Sequence, residues 1–375
     1  MIKIKKNVVL APYTNYKIGG RARYFCEISM QISTDIQTDF HRYKDVVDVL
    51  KWAEEKKLPV FVLGGGTNIL ISDDGFAGLI IKIKNQNAKV KMINQNAKYG
   101  YIGVGAGMKL SDAVNFSFKN GLSGLEWAAG IPGTAGGAVR GNAGAFEDDI
   151  ASITESIVAI VWKDRDKHLN KFSSLNNADI NAEQTPSVDQ RLPVGKTGRY
   201  RREFRVVALS NKQCKFGYRT SIIKEKGGII LSAMLRLRKI ANRESLIANR
   251  KKAQGYIQYR KEHHPLEYPS CGSVFKNIDI ENIRDMGKIG GIKGIRGAKG
   301  EIFPAGLLIE KAGLKGKKIG NAQISEKHCN FIVNLGNAKA NDIYELIKMC
   351  EKEIYKKFGI KLEREVKLVG FDFSF

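Results

Sequence analysis

Hydrophobic and polar positions along the first two-thirds of the chain predict many short strands and few helices. Apolar residues recur at helical spacing over residues 44–58 and 110–121, and the second segment ends in glycine, which favours a helix stop. Short apolar or alternating runs predict strands, and the runs are PVFVL, FAGLIIKI, YIGVGAG, SIVAIVW, FRVVALS and GGIILSAMLRL. The pattern therefore indicates a mixed α and β structure.

The last third of the chain is predicted to form a compact α+β unit. A helix is expected from Arg243 up to the residues before Pro265, and it is the best candidate for a linker into this unit. A second helix is predicted in NDIYELIKMCEKEIYKKFG, followed by a strand-like LEREVKLVGF.

Two segments break the pattern. Residues 164–203 are polar, rich in Asn and Ser, and without periodicity, which predicts an insertion or a long mobile loop. Residues 287–300, GKIGGIKGIRGAKG, are similar at first sight to a collagen-like or RNA-binding repeat. They lack a strict triplet period and aromatic residues, so a flexible loop is the better interpretation.

Composition and charge narrow the class of protein. The chain has 375 residues, 43% hydrophobic and 27% charged, which is typical of a globular protein with two or three domains. The formal net charge of +24 makes nucleic acid the first partner to consider. Lysine and arginine are spread along the chain, however, so we rank a general compositional bias first, an anionic small ligand second and nucleic acid third.

Three patterns that the sequence lacks bear on the protein's location and on metal binding. No apolar run approaches the length of a membrane span, and the N-terminal residues lack the long apolar core of a signal peptide, so a cytoplasmic location is expected. The five cysteines are Cys26, Cys214, Cys271, Cys329 and Cys350. Their spacing indicates neither a disulfide framework nor a metal site.

Glycine-rich segments are the first candidate chemistry. LGGGTNIL contains Gly64, Gly65 and Gly66, whose backbone can approach a phosphate closely, followed by the polar Thr67 and Asn68. The spacing matches neither a P-loop nor a Rossmann fingerprint, and a simple structural turn is equally compatible with this motif alone.

A second segment, from Gly121 to Phe146, contains eight glycines and one proline. Because each ordered glycine costs backbone entropy, such density favours close packing of the backbone against a large flat ligand with phosphates. A glycine-rich connector is the alternative, and it becomes less plausible once the two motifs are considered together.

Together these motifs resemble the UDP-N-acetylenolpyruvoylglucosamine reductase family, whose FAD-binding fold is of the vanillyl-alcohol-oxidase type. That family's pattern has GGGSN or GGGTN, then GLxGLE, GIPGTxGGA and NAGA, and this chain contains all four. The resemblance extends over nearly the whole chain outside the two insertions, through YKIGGRARYF, CKFGYRTS, PSCGSVFKN, AGLLIEKAGLKGKKIGNAQISEKHCNFIVN and FGIKLEREVKLVG.

The resemblance implies an α+β protein with a two-subdomain FAD-binding fold and a C-terminal α+β substrate domain. The implied boundaries are 1–85 for the first FAD subdomain, 86–240 for the second, and 241–375 for the substrate domain. The polar insertion would lie at about 164–203 in the second subdomain, and a Gly/Lys-rich insertion at about 282–303 in the third.

The resemblance also implies an activity. FAD would carry a hydride from NADPH to UDP-N-acetylglucosamine enolpyruvate, giving UDP-N-acetylmuramate for peptidoglycan synthesis. The partners would be the UDP-sugar and NADPH, with no metal, no membrane and no nucleic acid, and the protein would be a monomer. The alternatives are an FAD oxidoreductase of the same fold with another substrate, or a basic nucleic-acid-binding protein.

Matching the family's motifs position by position gives the implied site. The catalytic residues would be Arg219, Ser273 and Glu365; taken singly, these could instead be a surface arginine, a turn cap and a strand-edge charge. Substrate binding would fall to Tyr218, Lys276 and Asn277. Cofactor binding would involve Gly64, Gly65, Gly66, Thr67, Asn68, Gly130, Ile131, Gly133, Thr134 and Gly137.

The implied chemistry assigns each catalytic residue a task. Arg219 would stabilise the negative charge that spreads into the substrate carboxylate, with Glu365 acting in the same site. Ser273 would deliver a proton to the carbanionic carbon. Cys271 is the competing donor, because some family members carry cysteine at the donor position, but Ser273 is the residue that aligns with it. His328 is expected to be structural.

Three features depart from the family's pattern. Ile278 stands where FKNP has proline, and Phe146 stands where the family has a tyrosine after NAGA. The segment between LRLRK and YRKEHHP is short, which suggests the family branch that lacks a substrate-clamping tyrosine loop.

Overall fold

The computed structural model describes residues 2–29, 40–84, 91–95, 98–164, 190–191, 202–279, 295–297 and 300–371. The described residues contain seven α-helices, with the bounds α1 Phe40–Glu55, α2 Leu110–Lys119, α3 Ala135–Gly141, α4 Ile222–Lys226, α5 Arg243–His263, α6 Ala305–Lys311 and α7 Ala340–Phe358. The strands are β1 Ile4–Val9, β2 Arg21–Ser29, β3 Val60–Leu63, β4 Ile69–Ile71, β5 Phe76–Lys84, β6 Lys91–Gln95, β7 Tyr99–Gly105, β8 Leu122–Ser123, β9 Gly144–Ala145, β10 Asp148–Asp149, β11 Thr154–Asp164, β12 Gln190–Arg191, β13 Arg202–Ser210, β14 Ile229–Lys239, β15 Ile278–Asp279, β16 Ile295–Gly297, β17 Gly300–Phe303, β18 Lys318–Ile319, β19 Ala322–Ile324, β20 Ile332–Asn334 and β21 Lys367–Val369.

The chain divides into two units. Unit 1 comprises Met1–Lys5, Tyr24–Gly65 and Gly78–Tyr256, and unit 2 comprises Lys6–Arg23, Gly66–Ala77 and Ile257–Phe375. The three domain ranges expected from the sequence remain predictions. No helix among the described residues is both long enough and apolar enough to span a bilayer.

The described part of unit 1 is built on two larger sheets, and β9 and β10 form a separate antiparallel pair. The smaller has the order β1-β2-β5-β3, with β3 and β5 parallel. In the larger, the order is β12-β13-β11-β14-β7-β6, with β8 also paired to β14. Along β14 the burial alternates over most of the strand, as expected for a sheet with one face on the core. The core of this unit includes the fully buried side chains of Trp127, Ile160 and Leu231.

The glycine stop predicted for the helix at 110–121 is confirmed. Helix α2 ends at Lys119, Asn120 caps it, and Gly121 follows with φ +63°. This left-handed position just beyond the helix end favours glycine, because a Cβ atom would be strained there.

Unit 2 contains three small sheets and the helices α6 and α7. Strands β4 and β21 are parallel, β18-β19-β20 are antiparallel, and β15-β17-β16 form the third sheet. The buried side chains of α7 lie at helical spacing and include Ile343, Leu346, Ile347 and Ile354. The Asp73 carboxylate accepts hydrogen bonds from the first backbone amides of this helix, where negative charge is favourable.

The two unusual segments have different outcomes. Most of residues 164–203 lies outside the described residues; Gln190 and Arg191, which are described, pair with β13. The flexible loop expected at 287–300 is wrong where the structure describes it. Residues 295–297 and 300–303 form an antiparallel strand pair, with Gly297 opposite Gly300. The glycines of this segment hid the strand pattern in the sequence.

Candidate active site

The two glycine motifs meet within unit 1. Strand β3 ends at Leu63, and a Cβ atom built on Gly64 would lie 3.0 Å from Thr134 Oγ1. Thr134 precedes α3 and its hydroxyl accepts a hydrogen bond from the Gly137 amide at 3.3 Å. The absence of a side chain at Gly64 therefore lets the first motif approach the second closely.

The second motif exposes one side of its backbone. Gly130 and Gly137 are exposed, and Ile131 and Gly133 are half-buried. On its other side the motif packs tightly, because a Cβ on Gly136 would lie 2.9 Å from the Ala106 carbonyl oxygen. An exposed backbone without side chains, packed on its other side against the protein, suits close contact with a flat, phosphate-bearing ligand.

Lys82 is a residue of this region that the sequence interpretation missed. It lies on β5 opposite Leu63 of β3, and its Nζ donates a hydrogen bond to the Gly64 carbonyl oxygen. Burial lowers the pKa of Lys82, and the nearby Glu27 carboxylate opposes this shift. The sequence signal for Lys82 was a lysine inside the apolar run FAGLIIKI. In the structure, both of its neighbours on the strand are buried.

Arg219 lies at the tip of a tight turn in unit 1. The Gly217 and Thr220 backbones exchange hydrogen bonds of 3.1 and 3.2 Å around Tyr218 and Arg219. Arg219 has φ +56°, a backbone conformation uncommon for non-glycine residues and frequent at functional sites. Its guanidinium donates to the Gly144 carbonyl oxygen at 3.1 Å and lies over the Tyr218 ring.

The Arg219 turn is fixed to the NAGA motif. Asn142 Nδ2 donates to the Gly217 carbonyl oxygen at 2.9 Å, and Ser221 Oγ donates to the Arg140 carbonyl oxygen at 2.7 Å. The structure therefore brings the GYRTS and NAGA motifs together, although they are distant in the sequence. Phe146 at the end of NAGA stacks on Tyr256, with ring centroids 4.0 Å apart.

In unit 2 the loop residue Gly66 has no room for a side chain. It has φ +69°, and a Cβ atom there would lie 2.0 Å from the Tyr13 carbonyl oxygen. Asn68 follows, and its Nδ2 donates to the Glu365 carbonyl oxygen at 3.2 Å. Its Oδ1 is buried and has no hydrogen-bond partner in the part of the chain that the structure describes. A buried acceptor in this state has room in its hydrogen bonding for a donor from a ligand or an ordered water. The neighbouring Thr67 is half-buried.

Ser273 and Glu365 lie on adjacent backbone segments of unit 2. Phe275 and Arg364 form an antiparallel bridge, and the Glu365 amide donates to the Val274 carbonyl oxygen at 2.8 Å. The structure thus brings together two of the three residues expected to be catalytic. Arg219, the third, belongs to unit 1.

Cys271 is buried and already has a partner. It is 5% exposed, and its thiol hydrogen-bonds to the hydroxyl oxygen of the fully buried Tyr16 at 3.3 Å. Burial, more than the neighbouring Glu365 carboxylate, raises the pKa of Cys271 to about 12, although the hydrogen bond to Tyr16 lowers it. Ser273, by contrast, is partly exposed.

Lys276 and Asn277 have contacts of their own within unit 2. The ammonium of Lys276 pairs with the Glu363 carboxylate. Asn277 Oδ1 accepts a hydrogen bond from the Ala305 amide at 3.3 Å, at the start of α6. Their expected part in substrate binding stays a prediction.

Comparison with known protein families identifies the chain. The family model described as FAD binding domain matches residues 40–161. The model described as UDP-N-acetylenolpyruvoylglucosamine reductase, C-terminal domain, matches residues 264–369. The UDP-N-acetylenolpyruvoylglucosamine reductase of Synechococcus sp. (strain JA-3-3Ab) is 32% identical over 368 residues, which cover 98% of this chain and 92% of that protein. The chain belongs to the UDP-N-acetylenolpyruvoylglucosamine reductase family.

Other members of the reductase family are similar to this chain in sequence and in fold. The reductase of Caldicellulosiruptor bescii is 34% identical over 369 residues, covering 98% of this chain and 91% of its own length. The crystal structure of the Thermus caldophilus enzyme has the same fold, with a TM-score of 0.63 and 24% identity, over 98% of this chain and 100% of that chain. The α+β fold with an FAD-binding part and a C-terminal reductase domain is therefore confirmed.

The residues of this reductase fit FAD. In unit 1, the exposed backbone of the second glycine motif and the Lys82 ammonium beside Gly64 suit a diphosphate. In unit 2, the unpartnered Oδ1 of Asn68 suits an N–H or O–H donor, and FAD carries both. The chain is an FAD-dependent oxidoreductase.

Proposed function

We propose that this chain reduces UDP-N-acetylglucosamine enolpyruvate to UDP-N-acetylmuramate with electrons from NADPH, in peptidoglycan precursor synthesis. Family membership over 98% of the chain supports this reaction. The observation that supports its chemistry most directly is the bridge between Phe275 and Arg364, which makes the segments of Ser273 and Glu365 neighbours.

The reaction requires a hydride and a proton. When bound, FAD would supply the hydride chemistry that links NADPH to the terminal carbon of the enolpyruvyl double bond. The protein then has to stabilise the negative charge on the adjacent carbon and carboxylate and to protonate that carbon.

Ser273 is the proton donor in this proposal. Its side chain is partly exposed, whereas the thiol of Cys271, two residues earlier, is buried against Tyr16. The high pKa of a hydroxyl is tolerable because the acceptor is a strongly basic carbanion. Access and sequence match therefore both favour Ser273 over Cys271.

Arg219 and Glu365 stabilise the developing charge in this proposal. The strained backbone of Arg219 and the bond from its guanidinium to Gly144 hold the cation at a fixed turn. Preorganised donors of this kind contribute most where charge appears and water is excluded. Glu365 is the hydrogen-bond partner of the enol oxygen in this proposal.

The other readings of the sequence are not favoured. A different FAD oxidoreductase would not be expected to match the reductase C-terminal model over residues 264–369. A nucleic-acid-binding protein would not be expected to match full-length reductases. The expected cytoplasmic location, the monomeric state and the absence of a nucleic-acid partner remain predictions.

An anaerobic spectral titration tests the proposal. The purified protein should show a flavin spectrum that bleaches with NADPH and recovers when UDP-N-acetylglucosamine enolpyruvate is added. Bleaching without recovery would assign the protein another substrate. A colourless protein that cannot be reconstituted with FAD would refute the oxidoreductase function.

A further inference from the structure

The two residues after Ser273 are held by a single residue, Asn330. Asn330 Oδ1 accepts a hydrogen bond from the Phe275 amide at 2.9 Å, and its Nδ2 donates to the Phe275 carbonyl oxygen at 2.8 Å. The Asn330 carbonyl oxygen also accepts from the Val274 amide at 2.8 Å. One residue thus binds three backbone groups next to the proton donor.

The arrangement leaves little freedom for this backbone. Val274 and Phe275 are 0% and 1% exposed, and Asn330 itself is 3% exposed. On the side away from Asn330, the Val274 carbonyl oxygen accepts from the Glu365 amide. Both backbone polar groups of Val274 are therefore bonded, so the chain that leaves Ser273 cannot rotate without breaking buried hydrogen bonds.

Asn330 is itself oriented by a histidine. Its backbone amide donates to His328 Nδ1 at 3.2 Å, so this nitrogen carries no proton. Burial lowers the pKa of His328, which is consistent with the neutral ring that this bond requires. Orientation by a neighbouring group is how precise positioning is usually maintained around a functional residue.

We propose that Asn330 is a positioning residue for proton delivery, which fixes Ser273 through the backbone of Val274 and Phe275. This inference rests on the function proposed above, in which Ser273 protonates the substrate. Asn330 itself touches no reacting atom in this proposal. Its effect is on the geometry of the donor, and a displacement of about 1 Å at such a donor can cost roughly 100-fold in rate.

An aspartate at position 330 is the sharpest perturbation. Asn330→Asp keeps the shape and the acceptor for the Phe275 amide, but replaces the Nδ2 donor with an oxygen facing the Phe275 carbonyl oxygen. We expect the reduction of bound FAD by NADPH to stay within about twofold of the wild type. Reoxidation by the enolpyruvyl substrate should fall by about 10- to 100-fold.

The pH profile separates positioning from a general structural defect. A buried carboxyl group has a raised pKa, and its protonated form can again donate to the Phe275 carbonyl oxygen. Reoxidation in Asn330→Asp should therefore recover as the pH falls from about 8 to about 6. The wild type has no group at this position that would give such a recovery.

Asn334 provides a matched control. It is 4% exposed, and its side chain makes three hydrogen bonds: Nδ2 donates to the Tyr16 carbonyl oxygen at 2.9 Å, and Oδ1 accepts from the Gly336 amide at 2.9 Å and from the Ala338 amide at 3.0 Å. Asn334→Asp disturbs an equally buried amide that does not bind Val274 or Phe275. It should lower the urea midpoint without separating the two half-reactions.

The outcomes distinguish this inference from the proposed function. Wild-type reoxidation rates in folded Asn330→Asp, or equal losses in both half-reactions with no recovery at low pH, would overturn the positioning role. If Ser273→Ala also reoxidises at the wild-type rate, the assignment of the proton donor fails instead. Should the aspartate variant not fold, Asn330→Ser shortens the side chain so that both of its bonds to Phe275 are lost, and the same separation of half-reactions is expected of it.

Discussion

Asn142 connects the NAGA motif to the turn that carries Arg219, and its replacement gives a graded test of the unit 1 site. The residue ends α3 in the left-handed conformation, with φ 43° and ψ 61°, and it is 5% exposed. Its Nδ2 donates to Asp149 Oδ2 at 3.0 Å and to the Gly217 carbonyl oxygen at 2.9 Å, and its Oδ1 accepts from the Ala151 amide at 3.1 Å.

Two substitutions separate the side-chain bonds from the backbone conformation. Asn142→Ala keeps the Cβ atom that asparagine already carries in the left-handed region and removes the three hydrogen bonds. At about 1 kcal/mol each, the free energy of unfolding should fall by about 3 kcal/mol. Asn142→Gly removes the same bonds but also relieves the left-handed strain of a Cβ atom, roughly 1–2 kcal/mol, so its net loss should be about 1–2 kcal/mol.

Urea unfolding followed by tryptophan fluorescence measures this difference in the correct unit. All three tryptophans, Trp52, Trp127 and Trp162, belong to unit 1. Asn120 is a suitable control, because it also caps a helix but is exposed, has φ −105° and donates one side-chain bond, to the Phe116 carbonyl oxygen. Its replacement by Ala should cost about 1 kcal/mol or less.

Two results would refute this reasoning about Asn142. A loss below about 1 kcal/mol in the alanine variant would mean that the three bonds contribute little in this site. Equal stability of the glycine and alanine variants would mean that the left-handed backbone is not retained in solution.

Three further predictions concern single residues. Ser273→Ala should leave flavin reduction by NADPH nearly intact and slow reoxidation by about 100-fold or more, whereas Cys271→Ala should be mild in stopped-flow measurements; equal loss in both half-reactions of Ser273→Ala would count against the donor role. Lys82→Met should weaken FAD binding to the apoprotein about tenfold or more in fluorescence titrations, while Lys82→Arg stays close to the wild type; unchanged affinity in the methionine variant would contradict a contact with the diphosphate. Burial, together with nearby His and Arg charges, lowers the pKa of His264 to about 4, below the unfolded value of about 6.5. The unfolded state therefore binds more protons between these values, so stability should be lost as the pH falls from about 6.5 to about 4, and His264→Gln should show a flatter dependence in urea unfolding.

The sequence predicts local features of this fold well. The helices expected around 44–58, 110–121 and 341–359 are present as α1, α2 and α7, because each has an apolar stripe at helical spacing. The strand before the first glycine motif is also present, ending at Leu63. The strand pair formed by residues 295–297 and 300–303 was missed because glycines in a sequence favour a loop when the pairing of distant strands is unknown.

Non-local contacts explain what the sequence could not predict. The bridge between Phe275 and Arg364 involves segments too short to show a strand period. Asn330 lies in SEKHCNF, where nothing in the pattern indicates that its amide binds the Phe275 backbone. The motif match supplied Ser273 and Glu365, but the contacts that hold them depend on tertiary pairing.

The arrangement around Ser273 explains why a thiol, a glycine and a hydroxyl stand side by side in PSCGSVFKN. Cys271 is fixed on one side by its bond to buried Tyr16, and Phe275 is fixed on the other by the amide of Asn330. Between these two anchors the chain emerges from the core only at Gly272 and Ser273. Gly272 has φ +80° and nothing lies within 4 Å of a Cβ built there, so glycine is favoured for its backbone angle and not for lack of space. The Ser273 hydroxyl follows this glycine and precedes a backbone whose polar groups are all bonded. The position of the Ser273 Cα atom is therefore fixed, which is what proton delivery to one carbon requires.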